Sequence, residues 1–316
     1  MKKVFCIGEL LIDFVAEKQG NDLSKAEVFT KKPGGAPANV ACTIAKLGGI
    51  SKFIGCVGDD QFGNFLLNVL EDNHVDISLA QRSSYFTTIA FVSIAGDGER
   101  DFVFSRGADK KLKYDFAIKK EFKENIIHLG AATALLGGNL EEAYGRYFFD
   151  ALTLNTFISF DPNFRGDLWK NEEATFVKKC MPFVQKAHLC KFSLEEAQLL
   201  SGKTEIDECC TVLHEIGAKV ITITLGGEGT LLSTEDFKMT IPSIDVTPVD
   251  TTGAGDAFIG CLLFQIAALH DPFEILENMG TLAKMVAKAN KAGAITTTNF
   301  GAIPSLPTHS EVFGEE

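Results

Sequence analysis

The chain has 316 residues, 46% hydrophobic and 23% charged, which suits one large α/β domain with a small excursion. Its formal net charge of −12 makes it a poor candidate for wrapping nucleic acid or docking on anionic lipid, though not for binding a small phosphorylated ligand. Eight cysteines include no CxxC pair, and no histidine stands at metal-ligand spacing from a cysteine or another histidine, which argues against a disulfide framework or a zinc site; so many free thiols fit a reducing cytoplasm.

The chain opens on two lysines and an apolar run, but Glu9 and Asp13 interrupt it, so residues 4–8 (VFCIG) read as a first strand rather than a signal peptide. Short apolar runs recur at 53–58, 126–130, 157–161, 188–193 and 220–227, each ending at Gly, Asp or Ser as buried strands do before a turn. Helical patterns lie between them at 38–47, 62–73, 140–154, 194–200 and 210–216. Strands alternating with helices predict a three-layer α/β/α sandwich around a mostly parallel sheet. Residues 11–33 and 85–106 break the rhythm with short alternating segments, the second carrying the hairpin signal Gly96-Asp97-Gly98. They predict a small antiparallel sheet protruding as a lid from a single domain over 1–316. No apolar stretch approaches membrane-spanning length.

Three segments concentrate chemistry. The strongest is Asp250-Thr-Thr-Gly253-Ala254-Gly255-Asp256, followed by the apolar helical pattern AFIGCLLFQIAAL. Glycines before a helix let its first amides approach a ligand, and the free N–H groups and helix dipole favour an anion. A carboxylate at that same point is electrostatically odd unless it has a task, such as accepting a proton from an attacking hydroxyl. The competing reading is an ordinary first-turn acid. The second segment, Pro33-Gly34-Gly35-Ala36-Pro37-Ala38-Asn39, joins paired glycines to an amide able both to donate to and accept from a hydroxyl; alone it is equally a tight strand-to-helix turn. The third, Asp161-Pro-Asn163-Phe-Arg165-Gly-Asp-Leu-Trp169, follows a strand at the edge where α/β sheets place ligands, or is a surface turn. GAGDAF is no dinucleotide fingerprint, because Phe258 stands where a third Gly or Ala is needed; AQLLSGKT is no P-loop, because it ends a helix rather than following a strand.

In this order the segments resemble the ribokinase-like carbohydrate kinases of the phosphofructokinase-B type. GGAPANV is similar to the N-terminal signature of that family and DTTGAGDAF to its C-terminal one. GELLIDF, DPNFRGDLW, KFSLEEAQLLSG and ANKAGAITTTNFGAIPSLP look most like fructokinases. The resemblance implies that Asp256 is the base and that Gly253, Ala254 and Gly255 form the amide hole for phosphoryl charge. It assigns Asp13, Gly34, Gly35 and Asn39 to the sugar hydroxyls, places Arg106 and Asn163 where the family closes over its substrate, and turns Arg165 to the sugar or phosphates. Lys191, Thr224, Gly226, Gly227 and Gly229 would serve the nucleotide, and Asn290 would border the adenine. Glu196 would order magnesium waters, although Ser193 stands where many relatives carry Asn. Asp250, Thr252 and the Gly293 region match the potassium site. The resemblance thus implies ATP, Mg2+ and K+ and a sugar substrate with fructose favoured. The free thiols predict a cytoplasmic enzyme, and apolar lid strands that would invite association if left bare predict a homodimer through the lids. A kinase for 2-keto-3-deoxygluconate, ribose or a nucleoside stays open, as does a non-catalytic sugar-binding relative.

Overall fold

A computed structural model describes residues 1–17, 20, 22–94 and 100–314. Fourteen strands are present among them. In chain order they are β1 (Lys3–Ile7), β2 (Leu11–Ala16), β3 (Phe29–Gly34), β4 (Ile50–Ile54), β5 (Cys56–Gly58), β6 (Gln81–Ser83), β7 (Ile89–Ile94), β8 (Arg100–Ser105), β9 (Ile126–Leu129), β10 (Phe157–Phe160), β11 (Leu189–Ser193), β12 (Val220–Thr224), β13 (Thr230–Ser233) and β14 (Lys238–Ile241). The helices are α1 (Ala36–Lys46), α2 (Gln61–Asp72), α3 (Asn139–Thr153), α4 (Glu173–Lys186), α5 (Leu194–Ser201), α6 (Ile206–Ile216), α7 (Ala254–Ala267), α8 (Met279–Thr296), α9 (Ala302–Ser305) and α10 (His309–Phe313).

The main sheet runs β14-β13-β12-β11-β10-β9-β1-β4, parallel from β4 to β12 and antiparallel over the last two pairings. Its parallel strands are buried on both faces, which is why they read as unbroken apolar runs. Alternate residues serve opposite faces: Val4 and Cys6 enter one apolar cluster with α1, α7 and α8, while Phe5 and Ile7 enter a second with α3, α4, α5 and α6. All eight cysteines are buried and unbridged. No helix among the described residues is long and apolar enough to cross a membrane.

Residues 53–58 form two strands rather than the single one expected. A side chain at Gly55 would come within 2.5 Å of the Gly8 carbonyl oxygen, so the chain turns there and β5 pairs with β6 instead. The smaller sheet has the order β3-β2-β7-β8. Its two hairpins are antiparallel, but β2 and β7 join them in parallel, so the sheet is not purely antiparallel. Gly96, Asp97 and Gly98 lie outside the described residues.

Candidate active site

Five neighbouring parallel strands, β1, β9, β10, β11 and β12, end along one rim of the main sheet, and the residues that follow them face the edge where such sheets hold ligands. Glu9, Gly130, Asp161 and Asn163 lie in the segments just after these strands, Glu196 in the first turn of α5 and Gly226 in the short 3-10 turn after β12. The starts of α1 and α7 meet at the same rim. Asn39, in the first turn of α1, donates from Nδ2 to Asp256 Oδ2 across 2.8 Å.

The geometry of Asp256 follows from the glycines before it. Gly253 has φ 80°, and a Cβ there would lie 2.5 Å from the Ala302 Cβ, so only glycine fits. No side chain caps α7, and apart from Ala254 N, which donates to Thr251 O at 3.3 Å, its first-turn amides are available to an anion. Gly255 lies over Lys191, whose Nζ would be 3.1 Å from a Cβ at that position. Burial raises the Asp256 carboxyl above its ordinary range, with the Asn39 amide and the Lys191 and Arg165 charges pulling against it and Glu196 adding to the rise.

Lys191 is the centre of the site's charge. Its ammonium sits 3.0 Å from Asp161 Oδ2, with both side chains almost wholly buried. Burial opposes the lysine charge, but Asp161, Glu196 and Asp256 outweigh it and hold its pKa above the ordinary lysine range. Burial pushes the Asp161 carboxyl up to about 7, with Lys191 pulling it down and Glu196 and Asp256 pushing further up. One cation thus serves three carboxylates.

The loop after β10 is held from below. Asn163 takes a left-handed φ of 49° and donates to Gly130 O at 3.0 Å. Glu196 accepts from Phe164 N on Oε1 and from Ser193 N on Oε2, each at 2.7 Å, so one carboxylate caps α5 and fixes the loop. Arg165 projects from that loop, exposed. On the smaller sheet, Gly34 faces Asp13 so closely that a Cβ would lie 2.1 Å from Asp13 Oδ2. Gly35, the N-cap of α1, passes against the Glu9 backbone. Arg106 follows β8. Its Nε pairs with Asp109 at 2.9 Å and its Nη1 donates to Leu136 O and Gly137 O.

Among the described residues, five buried side-chain polar atoms have no partner, Asn39 Oδ1, Ser93 Oγ, Arg106 Nη2, Trp169 Nε1 and Ser305 Oγ, and the first and third belong to residues expected to hold the sugar. A buried unsatisfied group is costly, so each of those two is an opening for a ligand to fill.

The expected nucleotide residues lie further along the rim. Thr224 donates to Phe192 O, and Gly226 and Gly227 form a short 3-10 turn that ends at Gly229. Asn290 is committed to the fold: it donates to Ile241 O and Pro242 O and accepts from Thr230 Oγ1. Asp250 accepts from Thr252 N and Oγ1 on one oxygen and from Gly301 N on the other. Burial acts to raise its pKa, but those hydrogen bonds and the Lys32 charge prevail and hold it below the usual range. Gly293 brings α8 against the Ala254 carbonyl, where a Cβ would lie 3.0 Å from that oxygen.

Sequence reasoning singled out neither Glu9 nor Asp109 for the site. Glu9 is buried and accepts from Ala132 N, Thr133 N and Thr133 Oγ1, fixing the loop after β9. Its signal was an acid breaking an apolar run at a strand end.

The model of the pfkB family of carbohydrate kinases matches residues 1–309. The chain belongs to that family. A probable fructokinase-2 of Arabidopsis thaliana is 39% identical over 315 residues, covering 98% of this chain and 94% of its own. The crystal structure of a fructokinase from Vibrio cholerae O395, with fructose, ADP and calcium bound, superposes with a TM-score of 0.84 at 30% identity, covering 99% of this chain and 98% of that one. An aminoimidazole riboside kinase from Salmonella enterica, complexed with aminoimidazole riboside and an ATP analogue, reaches a TM-score of 0.82 at 30% identity, covering 98% of each chain. This carbohydrate kinase therefore keeps the family fold from end to end, with a mostly parallel sheet between helices and a separate small sheet.

Proposed function

We propose that the protein transfers the terminal phosphoryl group of ATP to the 6-hydroxyl of fructose, releasing ADP and fructose 6-phosphate. The observation that carries this reading is the meeting of Asn39 and Asp256. The amide orients the carboxylate through Nδ2 and keeps a buried acceptor, Oδ1, ready for a hydroxyl beside the uncapped start of α7. A sugar hydroxyl donates to such an acceptor, and the amides of Gly255 and its neighbours receive the negative charge of the phosphoryl group. Asp256 takes the hydroxyl proton as the oxygen attacks phosphorus, and ADP leaves. Asp13, Gly34, Gly35, Asn163 and Arg106 surround the sugar, and Arg165 reaches the sugar or the phosphates. Lys191 and the Thr224–Gly229 turn serve the nucleotide, with Asn290 bracing the wall behind it. The choice of fructose rests on the fructokinase relatives.

Magnesium, carried by the ATP phosphates, supplies charge neutralisation. Glu196 fits a role toward its waters: each oxygen already accepts one N–H and keeps a lone pair for a donor. Asp250 and the carbonyls around Thr252 and Gly293 offer an all-oxygen set suited to a potassium ion, which would brace the turn before the amide hole. The smaller sheet acts as a lid that closes on the sugar and excludes water. Its outer strands, β3 and β8, are left without a neighbour within the described chain, and pairing of two lids would cover them in a cytoplasmic homodimer.

A riboside or another sugar as acceptor is the second reading, favoured by the Salmonella neighbour of equal identity. ADP release with MgATP and potassium is measured against fructose, ribose, 2-keto-3-deoxygluconate, glucose, tagatose, adenosine and aminoimidazole riboside. Highest turnover on fructose, lost in Asp256→Ala, supports the proposal. A clear preference for another acceptor replaces the substrate and keeps the mechanism. Silence across the panel with sugar binding intact overturns the catalytic reading.

A further inference from the structure

Asp109 is a buried acid that neither the motifs nor the chemistry above employs. Its side chain is 0% exposed, and it lies where the smaller sheet leaves the main body. Oδ1 accepts from the Thr88 hydroxyl at 2.5 Å, and Oδ2 accepts from Arg106 Nε at 2.9 Å. The Thr88 hydroxyl in turn accepts from Gly107 N at 2.9 Å and Asp109 N at 3.3 Å, so its one donor and two acceptor sites are all used. Phe86 O receives the Ala108 amide. Residues 86–88 and 106–109 are thereby knotted together at the base of β7 and β8.

The knot leaves Arg106 one free direction. Nε is held by Asp109, and Nη1 is held by the carbonyls of Leu136 and Gly137. A guanidinium is planar, so two anchored corners fix the third. That third corner is Nη2, buried and without a partner among the described residues. An arginine held only through Nη1 would swing about its long side chain and spread Nη2 over many positions, at an entropic cost on binding.

We propose that Asp109 is a positioning residue that fixes the Arg106 guanidinium so that Nη2 meets a sugar oxygen. The inference rests on the reading that Arg106 contacts the sugar. Asp109 acts only through Arg106, touching neither the sugar nor the nucleotide. It also ties the sugar contact to the joint of the smaller sheet, while the Leu136 and Gly137 carbonyls tie it to the loop after β9.

Fructose Kd by titration calorimetry with an ATP analogue present, and the KM values for fructose and ATP, are compared in Arg106→Ala, Asp109→Ala, Asp109→Asn and the double alanine variant. Losing one hydrogen bond made by a charged group weakens fructose binding by about 10- to 100-fold in Arg106→Ala, and losing its anchor by about 10-fold or more in Asp109→Ala. The ATP KM stays within about twofold. The double variant is no worse than Arg106→Ala alone, because the two residues act as one unit. Asp109→Asn keeps an oxygen for Nε at the expense of the Thr88 hydroxyl's acceptor, and weakens fructose binding less than Asp109→Ala. Should Asp109→Ala not fold, Asp109→Ser shortens the reach to Nε while keeping a partner for Thr88, and is expected to weaken fructose binding in the same direction. Weak binding in Arg106→Ala with normal binding in Asp109→Ala or Asp109→Ser, or additive losses in the double variant, overturns the positioning role and leaves the Arg106 contact standing. Unchanged fructose binding in Arg106→Ala overturns that contact and the inference with it.

Discussion

The amide of Asn39 and the carboxylate of Asp256 meet at 2.8 Å although 217 residues separate them. The contact joins the first turns of α1 and α7, so the acceptor for the sugar and the base for its proton are placed by one bond. Replacing Asn39 by Asp sets a like charge beside the base, which raises the Asp256 pKa further. The base works ionised, so its activity is lost as pH falls through that pKa. The acid limb of the kcat/KM profile is expected to lie above the ordinary aspartate value in the wild type and to move to still higher pH in Asn39→Asp. An unmoved limb removes Asp256 as the titrating base.

Asp256→Asn keeps the shape and loses the proton acceptor. Turnover is expected to fall by roughly 10²–10⁴-fold, the typical contribution of a general base, with fructose affinity nearly unchanged. Single-turnover kinetics and calorimetry separate the two effects.

Gly34→Ala tests the floor of the sugar site. The new methyl would collide with Asp13 Oδ2, the end of a flexible side chain, which can move aside without disturbing the backbone. Thermal stability is expected to hold while the sugar KM rises about tenfold, the loss of one hydrogen bond to a charged group. An unchanged sugar KM places Asp13 outside the site.

Lys191→Met keeps the bulk and removes the buried charge that compensates Asp161, Glu196 and Asp256. Breaking a buried pair this way costs about 3–5 kcal/mol. Without the ammonium, the Asp161 and Asp256 carboxyls, already raised by burial, rise further above their unfolded values. Stability is then present below the unfolded range and lost as pH rises through the folded one. Denaturant unfolding should show the deficit growing from acid to neutral pH; a pH-independent deficit points to packing instead.

Much of the fold was legible because the parallel strands are buried on both faces, which gives runs such as VFCIG and IIHLG few polar positions. The hairpin of β13 and β14 was not, since Lys238, Met239 and Thr240 face solvent at the sheet's end and dilute the apolar signal. Nor does alternation name a strand's partner, and so the parallel joining of β2 to β7 was not foreseen. Within the site, glycines announced the starts of α1 and α7 because close backbone approach requires them. Lys191 looked like one charge in an apolar strand, and its gathering of carboxylates from the loop after β10 and the first turns of α5 and α7 depends on the tertiary fold. Asp109 was equally hidden: its importance lies in what Arg106 does with its remaining nitrogen.

The eight buried cysteines carry a consequence for handling the protein. Burial raises the thiol pKa at Cys6, Cys42, Cys56, Cys180, Cys190, Cys210 and Cys261, and the reactive form of a thiol is its anion. The native molecule should therefore resist alkylation and mild oxidants, with its sulfur chemistry held in reserve until the layers part. Each burst of labelling then records an opening of the core, and a bound sugar that slows the labelling is reporting its own grip on the closed form.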